Sequence, residues 1–478
     1  MTVRVTGQVT VPGDKSISHR ALMFAALAQP GAKSVVREIL DSADVRSTAA
    51  VLRALGVPIP SFSPAMTITG VGRRGLAAAS AALDCGNSGT TTRLMAGILA
   101  ASAFRSILVG DDSLSRRPMR RVARPLEAMG ARIALSAGEH LPMRIDGGPL
   151  SSLHWKSETA SAQVKSAILL AGLVAGVEVT VEEPSPTRDH TERFLRALGA
   201  PLTIGATVGA VGATVEAVGA VGAVGATVEP VGATVEAVGA VEAVGAVGAV
   251  GATVGTRVAA GSVTLAPVAR DLTGFDLTVP GDPSSAAFFA GLASLADAGS
   301  LSLLNILASP TRDGFFRTLS AMGGAVARSA PRTTDSGEDV ATYEITPARL
   351  RAVQVAAIDV PSMIDELPLL ACLAAHAEGE TVISGAEELR VKESDRIATT
   401  VANLRTIGAV AEERPDGMVI VGGDAPLRGR IITHGDHRIA MAFAILGRRR
   451  GNAIEVDDPD CVAVSYPSFW RTLDEVTR

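Results

Sequence analysis

VLRALGVPI, residues 51–59, returns as PLEAMGARI at 125–133, FLRALGAPL at 194–202, TLSAMGGAV at 318–326 and NLRTIGAVA at 403–411. Each copy has apolar residues at helical spacing, then a glycine, then the start of an extended run. Glycine tolerates the left-handed conformation that closes a helix, so each phrase predicts a helix end followed by a strand. FWRTLDEVT, 469–477, resembles a sixth helix without the closing glycine. A second phrase lies upstream of each copy, where small polar residues open a helix rich in alanine and leucine. These are GDKSISHRALMFAALA, GNSGTTTRLMAGILA, ASAQVKSAILLAGL, GDPSSAAFFAGLASLA, PSMIDELPLLACLAA and GDHRIAMAFAILG. Their openings at Asp14, Asn87, Ser161, Asp282, Ser362 and Asp436 carry N-cap residue types. They are spaced about 70 to 80 residues apart, except for one longer gap between the third and fourth. Short Val/Ile/Thr runs between the phrases (SILVG, VEVTVEE, SLSLLNI, ETVISG, AIEVDD) read as strands. The chain is therefore predicted to be an α/β protein of six repeated units.

The longer gap holds Gly205 to Thr256, a tract of VGA, VGATVEA and VGAV words whose only charges are Glu216, Glu229, Glu236 and Glu242. Glycine beside nearly every valine costs about 1 kcal/mol per residue in a helix relative to alanine. The tract therefore reads as a low-complexity insertion in a strand-connecting loop, tolerated because closure entropy grows slowly with loop length. The alternative is an elastin-like or strand-adding interaction segment. Setting the tract aside makes the sixfold interval regular.

At 478 residues the chain exceeds one compact core, so two or more domains are expected. The division read from the repeats places residues 1–13 and 280–478 in one domain and 14–279 in the other. A net charge of −5 leaves no global attraction to nucleic acid or anionic membrane. Cys85, Cys372 and Cys461 have no metal-ligand spacing and give no disulfide framework, which fits a reducing compartment. The first residues lack an apolar secretory segment, and the apolar stretch Ala167 to Val177 is too short to span a bilayer, so the expected location is the cytoplasm.

The helix openings gather nearly all the residues with chemical potential. A helix N-terminus presents free N–H groups and positive potential, which suits phosphate or carboxylate. The first opening supplies Lys15, Ser16 and Arg20, and the second supplies Gly86, Gly89 and Arg93. SLSRRPMRRVARP concentrates arginine at 116, 117, 120, 121 and 124. The third opening gives Ser161 and Gln163, with Arg188 following in EPSPTRDHTE. The fifth gives Asp365 and Glu366, and ELRVKESDRI adds Lys392, Glu393, Asp395 and Arg396. The sixth gives His434, Asp436, His437 and Arg438. Each has a plain reading alone: GDKS as a cap, RRPMRR as a solvated face, RVKESDR as a surface helix start, His437 as a core or cap histidine. Together, cations at several equivalent helix starts with a few carboxylates among them suit two small polyanions and proton transfer. No Walker motif, dinucleotide fingerprint or metal-spaced His/Cys set competes.

VPGDKSISHRAL, GNSGTTTR, RRPM, ASAQVKSAILLAG, TRDHTE, VPGDPSSAAF, PSMIDELP, RVKESDR and DHRIAMAF together resemble the 5-enolpyruvylshikimate-3-phosphate synthases, a family of enolpyruvyl transferases. The resemblance covers the chain apart from the valine-glycine tract. It implies two similar domains, each of three βαβαββ units in an inside-out α/β barrel, with substrates in the cleft between them. It implies transfer of the enolpyruvyl group of phosphoenolpyruvate to the 5-hydroxyl of shikimate 3-phosphate with release of phosphate, without metal or organic cofactor, by a monomeric enzyme. By motif, Lys15, Ser16, Arg20, Ser161, Ala162, Gln163, Arg188, Asp365 and Lys392 would bind shikimate 3-phosphate. Lys15, Gly89, Arg117, Gln163, Arg396 and Arg438 would surround phosphoenolpyruvate. Asp365 would accept the hydroxyl proton, Glu393 would protonate the methylene carbon, and Lys15 and His437 would support the chemistry.

Two features depart from the better-known pattern. AVSYPSF puts Val464 where many members carry lysine. ASAQVKSAILLAG and PSMIDELP resemble the subgroup that includes glyphosate-tolerant enzymes, yet Gly89 stands where a tolerant enzyme carries alanine, which implies sensitivity. The rival within the fold is UDP-N-acetylglucosamine enolpyruvyl transferase, whose SGAKNA-like start and reactive loop cysteine are not found here. The rival of another class is a non-catalytic phosphate-binding repeat scaffold, against which the joint presence of Asp365, Lys392, Glu393 and Arg396 argues.

Overall fold

The computed structural model describes residues 2–206 and 261–477. Every glycine predicted to close a helix does so. The helices Ala43–Ala54, Arg120–Ala128, His190–Ala197, Gly314–Ala321 and Arg396–Thr406 are followed, one residue past the cap, by Gly56, Gly130, Gly199, Gly323 and Gly408. Their φ angles are +89°, +110°, +78°, +86° and +96°. A side chain in that conformation costs about 1–2 kcal/mol, which explains one residue type at five equivalent places. The sixth helix, Phe469–Val476, has no such glycine.

The alanine-rich helices are Lys15–Leu27, Gly89–Ala100, Ala162–Ala175, Pro283–Leu295, Leu367–Ala374 and His437–Gly447. Five are capped by the side chain of the residue just before them: Asp14, Ser88, Ser161, Asp282 and Asp436 each accept from a first-turn N–H. In the second opening the cap is thus Ser88, one residue beyond Asn87. The fifth opening departs further. Ser362 does not cap a long helix; Val360–Ser362 and Ile364–Glu366 form two 3₁₀ turns, and the α-helix starts only at Leu367. Pro361 and Pro368 each remove a backbone donor from this stretch, so it winds in short pieces. Asp365 therefore projects from a tight turn.

Among the described residues six sheets accompany the helices, and four share one plan. In the sheet of Leu83–Asp84, Arg105–Val109, His140–Asp146 and Arg132–Ser136, the first pair is parallel and the next two are antiparallel. The sheet of Leu153–Lys156, Val179–Glu182, Gly261–Leu265 and Leu202–Ala206 repeats it. So does that of Gln354–Val355, Glu380–Ile383, Gly417–Val421 and Val410–Arg414. The remaining full sheet and the three-stranded one exchange their first strands. Arg4–Val9, which precedes the first alanine-rich helix, pairs in parallel with Ala298–Leu307. Asp276–Thr278, which precedes the fourth, pairs in parallel with Lys33–Arg37.

The exchange makes the chain cross between two hydrophobic cores. One is built from residues between Ile17 and Val279, joined by Leu307, and the other from Val5, Val9, Val11 and residues between Ala286 and Val476. Both crossings read Val-Pro-Gly-Asp, at 11–14 and 279–282, and they lie side by side. Asp14 N–H donates to Pro280 O at 2.7 Å, and Asp282 N–H donates to Pro12 O at 2.9 Å. A Cβ on Gly13 would come 2.2 Å from the Glu38 carbonyl, so only glycine permits this approach.

Of the valine-glycine tract, Gly205 and Ala206 are the end of the strand Leu202–Ala206, paired with Ser262 and Gly261. The expected boundary at Gly205 is corrected by two residues; the expectation of a loop insertion over 207–256 lies outside the described residues. Among the described residues no helix is long and apolar enough to cross a membrane.

Candidate active site

The core of residues 17–279 presents cations at its helix starts. Asp14 accepts from Ile17 N–H at 2.8 Å and so fixes the first turn on which Lys15 and Ser16 stand. Lys15 Nζ lies 3.1 Å from Asp44 Oδ2. One turn on, Arg20 is 3% exposed. Its guanidinium donates to Thr191 Oγ1 at 2.7 Å, Ser166 Oγ at 2.8 Å and the Ser16 carbonyl at 2.9 Å. All three partners are neutral, and burial pulls its pKa down to about 10. A buried cation held by neutral acceptors is poised for an anion.

Beside it, the Gly89–Ala100 helix leaves first-turn N–H groups open. Arg93 Nη1 donates to Gln163 Oε1 at 2.6 Å, and Gln163 Nε2 donates to Thr90 Oγ1 at 3.0 Å. Burial brings the Arg93 pKa down to about 10, with Arg117 adding repulsion. Arg117 Nη2 donates to Asn87 Oδ1 at 2.6 Å, while its buried Nε has no partner among the described residues. A Cβ on Gly89 would stand 3.0 Å from Arg93 Nη1 and 3.5 Å from Arg117 Nη1. A methyl there would press on the Arg93 guanidinium and lie in ordinary contact with that of Arg117. Of the other arginines in RRPMRR and its flank, Arg116, Arg120 and Arg124 are exposed.

The other core presents carboxylates interleaved with arginines. Asp395 caps the helix Arg396–Thr406, accepting from Ala398 N–H at 3.0 Å. This cap turns Lys392, Glu393 and Arg396 inward. Arg396, 1% exposed, pairs with Asp436 at 2.8 Å, Glu393 at 2.6 Å and Asp365 at 3.1 Å. Lys392 Nζ lies 3.6 Å from Asp365 Oδ1. Burial alone would raise the Asp365 and Glu393 pKa values, but surrounding cations overcome it. Lys392, Arg438, Arg188 and Arg396 hold Asp365 well below the carboxylate range, and Arg396 and Arg117, with Lys15, do the same for Glu393. Burial also pulls Lys392 down, against the attraction of Asp365. His437 is driven to about 4 by burial, and its Nε2 has no partner among the described residues. It is a neutral imidazole at pH 7. Arg438 reaches Glu366 at 3.7 Å.

The two sets meet across a cleft. Arg188 Nη2 lies 2.6 Å from Asp365 Oδ2, Arg117 Nη1 lies 3.8 Å from Glu393 Oε1, and Arg121 lies 3.2 Å from Glu388. Lys15, Ser16, Arg20, Gly89, Arg117, Ser161, Ala162, Gln163 and Arg188 thus approach from one core. Asp365, Lys392, Glu393, Arg396, His437 and Arg438 approach from the other. Sequence reasoning did not single out Asp44, the carboxylate beside Lys15, because its phrase DSADVRS carries only the signal of an ordinary helix start. It also passed over Arg312, although SPTRDH at 185–190 returns as SPTRDG at 309–314.

A cleft lined with guanidinium groups held by neutral acceptors or shared among carboxylates can hold phosphates. Two ionised carboxylates beside a neutral histidine and a depressed lysine can exchange protons with a bound hydroxyl or carbon. The family described as EPSP synthase (3-phosphoshikimate 1-carboxyvinyltransferase) matches residues 1–230 and 220–473. A 3-phosphoshikimate 1-carboxyvinyltransferase of Sulfurihydrogenibium sp. (strain YO3AOP1) is 42% identical over 476 residues, 99% of this chain and 98% of that one. One of Xanthomonas campestris pv. campestris (strain B100) is 43% identical over 465 residues, 97% of this chain and 93% of that one. An EPSP synthase structure from Acinetobacter baumannii superposes with a TM-score of 0.78 at 36% identity, covering 100% of this chain and 96% of that one.

Proposed function

The chain belongs to the EPSP synthase family, and from that membership we propose how its own side chains carry enolpyruvyl transfer in the shikimate pathway. The substrates are phosphoenolpyruvate and shikimate 3-phosphate. Arg20, Ser16, Ser161, Ala162, Gln163 and Arg188 hold shikimate 3-phosphate, with Lys392 against its ring. Gly89, Arg117, Arg396 and Arg438 surround phosphoenolpyruvate, and Lys15 and Gln163 reach both. The observation that carries this reading is the Arg188–Asp365 contact of 2.6 Å. It brings a cation suited to the shikimate phosphate and the carboxylate suited to the 5-hydroxyl to one place.

Asp365, held ionised by its four cations, accepts the 5-hydroxyl proton as the oxygen adds to C2 of phosphoenolpyruvate. Glu393 delivers a proton to C3. Before substrates arrive it too is held ionised, chiefly by Arg396 and Arg117 against the effect of burial. Binding of a dianionic phosphate and a carboxylate to those same arginines weakens their hold, which raises the Glu393 pKa and lets it take up a proton. In the second step the roles reverse: Glu393 removes a C3 proton, a proton passes to the departing phosphate, and the enol ether double bond reforms. His437, neutral, supports this traffic. Closure of the two halves excludes water from the tetrahedral intermediate.

We assign the core of residues 14–279 as one domain, and residues 1–13 with 280–478 as the other. The reading has a monomer working in the cytoplasm, supported by a site drawn from the two halves of one chain. The experiment is phosphate release from phosphoenolpyruvate by purified protein. Release should require shikimate 3-phosphate, and equal release with UDP-N-acetylglucosamine would overturn the reading.

A further inference from the structure

The loops SPTRDH, 185–190, and SPTRDG, 309–314, occupy equivalent places in the two halves. Asp189 and Asp313 stand at the N-termini of the helices His190–Ala197 and Gly314–Ala321. Each also pairs with an arginine one turn on, Arg193 and Arg317. The arginines before them diverge. Arg188 reaches the cleft, with its side chain 21% exposed, whereas the Arg312 side chain is 2% exposed. Arg312 Nη2 lies 3.3 Å from Asp14 Oδ2, 3.1 Å from Asp282 Oδ1 and 3.1 Å from Ser284 Oγ.

Those two aspartates end the paired crossings and begin the first helix of each half. Asp14 holds the first turn of Lys15–Leu27 through Ile17 N–H. Asp282 reaches across the crossing and accepts from Lys15 N–H at 3.2 Å. Arg312 is thus one step removed from the backbone of Lys15 along both routes. Asp14 is kept below the ordinary carboxylate range against burial, with Arg312 the strongest of the groups that keep it there. Without a cation between them, two buried carboxylates at the meeting of the crossings would repel each other or take up a proton.

We propose that Arg312 is a positioning residue: it clasps Asp14 and Asp282 and thereby sets Lys15 and Ser16 where shikimate 3-phosphate must find them. The proposal rests on the assignment of Lys15 and Ser16 to that substrate. It gives the two SPTRD loops distinct duties, one toward the ligand and one toward the paired crossings.

The test is steady-state phosphate release by Arg312→Met, Arg312→Lys and Arg312→Met/Asp282→Asn, with each substrate varied and folding checked by thermal melting. Wild-type release that depends on shikimate 3-phosphate tests the functional reading separately. Its absence removes the reading, whereas an active wild type leaves only the clasp in question. Arg312→Met should raise KM for shikimate 3-phosphate at least about tenfold, with a smaller fall in kcat, the scale of a displaced binding group. Asp282→Asn in the same chain should recover several-fold of that loss by removing the carboxylate repulsion. A folded Arg312→Met whose KM stays within about twofold of wild type overturns the proposal, as does a double variant no better than the single. Should Arg312→Met fail to fold, Arg312→Lys decides. Lysine keeps the charge without the planar fork, so KM should still rise several-fold, and an unchanged KM sinks the clasp.

Discussion

The two halves are built from the same unit, yet they bring opposite chemistry to the cleft. The half built round the core of residues between Ile17 and Val279 offers Lys15, Arg20, Arg93, Arg117 and Arg188, and the other offers Asp365 and Glu393 with Arg396 and Arg438 woven between them. The paired loops sharpen the contrast. A single five-residue phrase, SPTRD, points its arginine at the cleft in one half and buries it at the crossing in the other. Repetition fixes the places where side chains can stand, and single substitutions at those places decide what each half does. Arg396 binds to three carboxylates of its own half, so a ligand must share its charge with them. Arg20 has three neutral partners, so its charge is free for a ligand.

The largest effect should come from erasing the acidic side of the contrast. Glu393→Gln keeps the shape but cannot cycle a proton, and turnover should drop at least about 100-fold in the phosphate-release assay. Lys15→Met should do the same from the cationic side. Near-normal turnover in both variants would dissolve the division of labour. A smaller effect tests the contact between the halves. Arg188→Met removes the partner of Asp365, and KM for shikimate 3-phosphate should rise about tenfold, the scale of a lost charge-assisted bond. A KM that holds steady would mean that Arg188 serves the closed arrangement alone.

At neutral pH the mildest effect belongs to two buried histidines, His19 from one half and His437 from the other. His19, 2.7 Å from Thr48 Oγ1, is driven to about 3 and His437 to about 4, in both cases mainly by burial. Both are neutral in the folded and the unfolded chain above about pH 6.5, so neither changes stability there. As pH falls below that value the unfolded chain binds protons that the folded chain refuses. Stability should decline down to about pH 4 for His437 and about 3 for His19, by on the order of a few kcal/mol each. Denaturant melts at pH 7, 6 and 5 would show this. His437→Asn should flatten the decline, and an unchanged slope would mean that the imidazole is not held neutral.

The repeat, its closing glycines and most strands were legible in the sequence because they depend on neighbours three or four residues away. VLRALG and TLSAMG declare their caps wherever they fall. The first turn of the fifth opening was not legible, because Pro361 and Pro368 break PSMIDELP into 3₁₀ pieces while its composition still resembles a capped helix. The candidate site residues were visible as types at helix starts, but their partners were not. Arg188 and Asp365 lie 177 positions apart, and nothing local to either says that they meet. Arg312 was hidden for the same reason, although the doubled VPGD and doubled SPTRD phrases both bore on it.

The exchange of first strands also governs the order in which the molecule is completed during synthesis. Arg4–Val9 is made before the other strands described, yet its neighbour in the sheet is Ala298–Leu303, so it waits, unpaired, until that strand emerges. The core of residues 17–279 gains its own last strand, Asp276–Thr278, before that partner exists. One half is therefore largely assembled while the other still lacks its sheets, and the strand Arg4–Val9 acts as a held thread that ties the late half to the early one.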